Sequence, residues 1–177
     1  MKKRKIYILL TKFYTQSANT LEFIKGHYYT HSSIGLEEDL NTFYSFVNKG
    51  FIIEKISRYA LREQPLPCCL YELEVSETVY DKVKNELAAF VSKKERLKYS
   101  KWGVVLSLLF IPHKIQDSYF CSQFIAEVLK QSKAAKLRLS PSLYMPEDFK
   151  KIKGLRMLFQ GNHKSMAEFY QLRTDAF

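Results

Sequence analysis

Apolar positions divide the chain into a strand-forming first half and a helix-forming second half. Residues 6–13 open with an apolar run from Ile6 to Leu10 and read as a buried strand. Residues 16–26 read as a short helix or loop ending at Gly26. Residues 28–36 (YYTHSSIGL) are rich in β-formers and predict a second strand. The acidic break at Glu37, Glu38 and Asp39 predicts a turn, and 41–47 (NTFYSFV) the returning strand. A short strand is expected over 51–56, a proline-bearing loop over 62–67, and an alternating strand over 69–75 (CLYELEV).

Past residue 76 the apolar period lengthens. Ser76 is the expected N-cap of a helix whose Val79, Val83, Leu87 and Phe90 fall at helical spacing. Residues 102–111 (WGVVLSLLFI) read as a second, buried helix stopped by Pro112; ten residues are too few to span a bilayer. Asp117 or Ser118 would cap a third helix carrying Cys121, Phe124, Ile125, Val128 and Leu129. A short helix opening at Pro146 and a last strand over 155–159 complete the pattern. Strands first and helices later predict an α+β fold, and residues 1–177 read as a single domain.

The net charge of +10 is spread along the chain rather than gathered in a nucleic-acid-binding motif. No zinc-finger spacing, RNP-type strand or P-loop accompanies it, so specific nucleic acid binding is not expected; an anionic membrane surface is a partner the charge could serve. Three cysteines, two of them adjacent, do not make a stapled secreted scaffold. Cys68 and Cys69 read as packing residues, the basic start of the chain as a strand rather than a signal peptide, and the location as cytoplasmic.

Chemistry centres on Cys121 in the segment YFCSQFIAEVL. Its place on the apolar stripe suits core packing, yet first-turn N–H groups and the helix dipole also stabilise a thiolate, the nucleophilic form. Of four histidines, His31 lies within a strand, sharing a face with Tyr29, Ser33 and Gly35; His27, His113 and His163 are weaker candidates for a base. A third polar group usually orients such a base. If 28–36 and 41–47 form a hairpin, Ser45, on the face of Asn41, Phe43 and Val47, lies beside His31.

Three segments, with the histidine preceding the cysteine, resemble the permuted papain-like (NlpC/P60-related) thiol hydrolases. THSSI resembles that group's T-H-x-x-I strand, FYSF its second strand, and CSQFI its C-S-x-x-[VI] helix. The resemblance covers residues 6–130 and extends to the PEDF segment at 146–149. It implies an antiparallel sheet or small barrel packed against a Cys-bearing helix and further helices. It also implies a thioester-type acyl-enzyme with Cys121 as nucleophile and His31 as base. Many relatives carry His, Asn or Asp where this chain has Ser45. Tyr28, Tyr119 and Gln123 are candidates for the oxyanion or substrate lining. The expected substrate is an amide- or ester-containing small molecule, peptide or lipid, with no cofactor and no metal. The rivals are a lipid-directed acyltransferase or lipase using the same dyad, and a non-catalytic binding module on this fold.

Overall fold

A computed structural model describes residues 2–14 and 28–174, with side chains to residue 169; the segment 16–26 and His27 lie outside the described residues. Its strands are β1 (Lys3–Thr11), β2 (His31–Leu36), β3 (Thr42–Val47), β4 (Gly50–Lys55), β5 (Pro67–Ser76), β6 (Lys98–Tyr99), β7 (Ser118–Tyr119) and β8 (Leu155–Asn162). Its α-helices are α1 (Ile56–Ala60), α2 (Glu77–Ser92), α3 (Lys101–Leu108), α4 (Cys121–Gln131) and α5 (His163–Thr174). Six strands form one antiparallel sheet in the order β4-β3-β2-β1-β5-β8, and β6 pairs with β7 in a small parallel sheet. The architecture is therefore α+β.

The missing alternation in β1 has a direct cause: both faces of that strand are covered. Ile6, Ile8 and Leu10 pack with Ile34, Phe46 and Leu73 against the apolar stripes of α2 and α4. Tyr7 and Leu9 face the other way and pack with Phe43, Leu70, Ile56 of α1 and Met166 of α5. Helices thus sandwich a central strand that period-2 patterning alone would have left half-exposed. On the α4 side, Phe46, Phe51, Phe90, Phe124 and Tyr119 form an aromatic cluster with ring centroids 4.7–6.3 Å apart. Pairs at such spacing add about 0.5–1.5 kcal/mol each beyond their burial.

Gly35 fixes the register between β2 and β3. It pairs with Phe43, whose ring lies where a Cβ would sit, 2.8 Å away. A larger residue would push the ring off and shift the pairing by which the two strands align. Ser76 caps α2 as expected, accepting a hydrogen bond from the Val79 N–H at 3.4 Å.

Several expectations need correction. Strand β2 begins at His31 rather than 28, because the Tyr29 N–H donates to the Glu147 side chain (3.0 Å) on the 3-10 turn Pro146–Lys151. Neither Asp117 nor Ser118 caps α4. Ser118 belongs to β7, and the helix begins at Cys121 with Phe120 in the N-cap position. Helix α3 is not buried: only Gly103 and Ser107 turn inward, while Trp102 is 72% exposed. The short α1 and the terminal α5 were not anticipated.

Helix α3 ends in a Schellman motif, with Ile111 N–H bonded to the Leu106 carbonyl and Phe110 N–H to that of Ser107. The left-handed position of this motif is normally glycine; here Phe110 holds it at φ 58°. For a bulky side chain that conformation costs about 1–2 kcal/mol.

Candidate active site

Cys121 is the first residue of α4. Phe120, buried and extended (φ −104°, ψ 166°), occupies the N-cap and offers no side-chain acceptor. Its carbonyl opens the helix by accepting from the Phe124 N–H at 3.0 Å. The first-turn N–H groups of Cys121, Ser122 and Gln123 thus have no capping oxygen and remain the positive end of the helix.

The β2–β3 ladder gives Cys121 its place. β1 and β2 pair over six residues, from Ile6 with Leu36 to Thr11 with His31. β2 and β3 pair only at Ile34 with Tyr44 and Gly35 with Phe43. Ahead of those pairs the ladder is replaced by a side chain: Ser45 Oγ donates to the Ser32 carbonyl at 2.6 Å. At this unladdered end of β2 the Cys121 thiol lies near enough to His31 and Ser32 for both to lower it. The buried Ser32 hydroxyl has no hydrogen-bond partner among the described residues.

The partner of His31 is Glu54, not Ser45. Nε2 lies 2.7 Å from Glu54 Oε1, leaving Nδ1 for the thiol, and both side chains are buried. Strand pairing explains the meeting. Glu54 pairs with Phe43, Phe43 with Gly35, and Gly35 shares a face with His31. Between them that face carries only the small Ser33 and Ser45, which leaves space for two long side chains to join across β3. Ser45 is on the expected face, but its single proton is committed to the Ser32 carbonyl. It positions the strand rather than the imidazole. Thr42, its neighbour in sequence, bonds instead with Asp39 and Lys55.

Electrostatics favour charge separation in this cluster. Burial opposes an imidazolium at His31, but the Glu54 carboxylate and then Cys121 outweigh it, pushing His31 up to about 10. Burial would likewise raise Cys121; the hydrogen bond and charge of His31, with the Ser32 N–H, bring the thiol below its ordinary value. At both His31 and Cys121 the charge of the partner outweighs burial. Phe13 covers the imidazole with ring centroids 4.7 Å apart.

A second layer surrounds Glu54. Tyr59 of α1 lies near the carboxylate; burial and then this carboxylate raise its phenol above the ordinary range. The Tyr59 and His163 rings pack in a tilted arrangement with centroids 4.8 Å apart. His163 is fully buried, with Nδ1 3.1 Å from the Leu66 carbonyl and Nε2 3.4 Å from Thr11 Oγ1. It is a packed, neutral histidine, lowered to about 4 by burial above all.

The other candidates separate. Gln123 is buried in the first turn of α4 beside the thiol's helix position. Tyr119 packs into the aromatic cluster against Phe46 and Phe90. Tyr28 is 46% exposed, with the Lys12 ammonium 4.4 Å over its ring, and does not reach the cluster described here. Tyr99, which sequence did not single out, is brought near Cys121 by the β6–β7 pairing; burial and then the thiol raise its phenol. A cavity of about 320 Å³ lined by Glu86, Lys93, Lys114, Asp117, Glu127 and Gln131 opens between α2 and α4 but touches none of Cys121, His31 or Glu54. Cys68 and Cys69 are buried and free; burial pushes Cys68 up to about 12 and raises Cys69. Neither a protein-family model nor a curated protein sequence matches this chain.

Proposed function

We propose that this chain is a cysteine hydrolase of permuted papain-like fold that cleaves an amide or ester through an acyl-enzyme. The observation that carries the reading is the buried His31–Glu54 pair, 2.7 Å apart, with Cys121 at the uncapped start of a helix near enough for thiol and imidazole to shift each other. The order of histidine strand before cysteine helix, on an antiparallel sheet, supports the fold assignment. Three free thiols suit a reducing, cytoplasmic compartment.

In this mechanism the Cys121 thiolate attacks the carbonyl carbon, and the developing oxyanion meets the Cys121 backbone N–H. As the carbon–nitrogen or carbon–oxygen bond breaks, the His31 imidazolium gives its Nδ1 proton to the leaving group. A thioester remains on Cys121. Water, deprotonated by the now neutral His31, attacks the thioester, releases the acid and restores the thiolate–imidazolium pair. Glu54 keeps Nε2–H bonded throughout, which fixes the ring and stabilises its charged form.

The test is labelling with a thiol-reactive acyl probe at neutral pH, followed by peptide mapping. Wild type is expected to carry the adduct on Cys121, and Cys121→Ala to carry none. An unlabelled wild type, as a non-catalytic binding module would give, or an adduct on Cys68 or Cys69 overturns the proposal.

A further inference from the structure

Six of the twelve exposed large apolar side chains among the described residues fall between 102 and 115: Trp102, Val105, Leu109, Phe110, Ile111 and Ile115. Trp102, Val105 and Leu109 lie at i, i+3 and i+7 on the face of α3 away from the inward Gly103 and Ser107. Phe110 and Ile111 continue this face through the turn. Phe110, 65% exposed, keeps the left-handed backbone conformation that glycine would adopt without strain.

The charge around this tip has one sign. From Arg96 to Gln116 the sequence holds Arg96, Lys98, Lys101, His113 and Lys114 and no acidic residue. Arg96 pairs with Asp117 and Lys114 with Glu127; Lys98 and Lys101 are exposed, with no ion pair among the described residues. We infer that α3 and the turn after it form a monotopic docking surface for an anionic lipid bilayer. Trp102 and the apolar turn enter the headgroup boundary, and the basic collar meets the lipid phosphates. An apolar projection ringed by Lys and Arg, with Trp at its rim, fits an interface of this kind. No helix among the described residues is long and apolar enough to cross a membrane, so the contact lies on the surface.

The space beside Gly103 is so tight that an added Cβ would lie 3.3 Å from the ring of Phe120, the residue before Cys121. The docking itself uses no thiol chemistry. Vesicle binding is read without an acyl substrate, so its failure leaves the hydrolase reading standing, and failure of probe labelling leaves the docking standing.

Trp102 is the sole tryptophan and reports directly. The full chain is titrated with vesicles of equal phosphatidylglycerol and phosphatidylcholine, and with phosphatidylcholine alone. Binding to the anionic vesicles is expected, with a blue shift of Trp102 emission and quenching by brominated lipid, weakened as salt is raised. Leu109→Ser is expected to weaken partitioning roughly tenfold. Phe110→Gly is expected to weaken it by a similar factor while raising the thermal midpoint, since it removes the anchor and relieves the backbone together. That opposite movement separates docking from misfolding. No Trp102 shift at low salt, or binding unchanged in both variants, overturns the inference. So does a shift that appears without lipid in step with dimer formation by light scattering, which would assign the tip to a second copy.

Discussion

Two histidine–cysteine neighbourhoods lie along the same sheet and respond to burial in opposite directions. At the start of β2, His31 is driven up to about 10 and Cys121 below its ordinary value, although burial pushes each toward its neutral form. Where β8 joins α5, burial prevails: His163 falls to about 4 and Cys68 rises to about 12. What differs is the partner. His31 has the Glu54 carboxylate at 2.7 Å, whereas His163 faces the neutral Leu66 carbonyl and Cys68 faces the Met166 sulfur at 3.9 Å. Glu54 acts on His163 only through space. Burial therefore magnifies whatever charge is in contact, and one carboxylate separates a chemical site from a packed core.

The comparison is sharpest between the sulfurs. Cys68, raised to about 12, is almost wholly protonated at neutral pH, whereas Cys121 is held below its ordinary value. Iodoacetamide at pH 7 is expected to alkylate Cys121 at least about 10³-fold faster than Cys68. Peptide mapping over a time course measures the ratio, and near-equal rates would erase the distinction. The pH profile adds a second reading. Turnover falls as pH climbs through about 10 and His31 loses its proton, while alkylation, which needs only the thiolate, does not fall. The stability His31 gains from its partners has the same sign: full below the ordinary imidazole value of about 6.5 and lost as pH rises through about 10.

Removing the carboxylate should make the first neighbourhood resemble the second. Glu54→Gln keeps the shape and removes the charge, so His31 falls, Cys121 rises, and alkylation and turnover at pH 7 drop by roughly 10²–10³-fold. Stopped-flow alkylation and a thiol titration measure this. If Glu54→Gln retains wild-type reactivity, the carboxylate is not what separates the two sites.

The second neighbourhood should be visible in stability. His163 binds a proton less readily folded than unfolded, so its contribution is full above about pH 6.5 and is lost as pH falls through about 4. That drop is worth roughly 3 kcal/mol. Thermal midpoints of wild type and His163→Gln across this window isolate it from the carboxylates that titrate in both. The variant should have the shallower slope, and identical slopes would exclude His163 as a source of acid lability.

Ser45→Ala is the smallest of these effects. It leaves the buried Ser32 carbonyl without its side-chain donor, at a cost of about 1–3 kcal/mol by chemical denaturation. Because Glu54 still holds the ring, turnover should fall less than about tenfold. A loss comparable to that of Glu54→Gln would return Ser45 to the role of orienting group.

Much of this frame was local enough to read from the chain. The period of apolar positions placed β3, β4 and α2 within a residue or two, and Ser76 announced its own helix. His31 on a strand and Cys121 in a first helical turn were legible for the same reason: each depends on dihedral preferences and spacing within a few residues. The α4 boundary was misread because Asp117 and Ser118 are good caps by propensity. Ser118 and Tyr119 instead pair with Lys98 and Tyr99, and tertiary strand pairing overrides a capping preference of about 1 kcal/mol.

Sequence by itself determined which residues could do chemistry and on which kind of element each would sit, because those are properties of composition and short-range geometry. Only the tertiary structure decided that Glu54, two strands away, and not Ser45, would hold the imidazole. Alternation put Ser45 on the face of His31, and the observed register adds Glu54 to it. Which one bonds it depends on how far β2 and β3 stay paired and on which hydroxyl finds a nearer carbonyl. The fate of 102–111 was likewise beyond the sequence. Ten apolar residues state that burial is favourable, but whether protein supplies it depends on what packs opposite. Here only Gly103 and Ser107 of α3 are fully covered, since an apolar run carries a driving force without naming the surface that satisfies it.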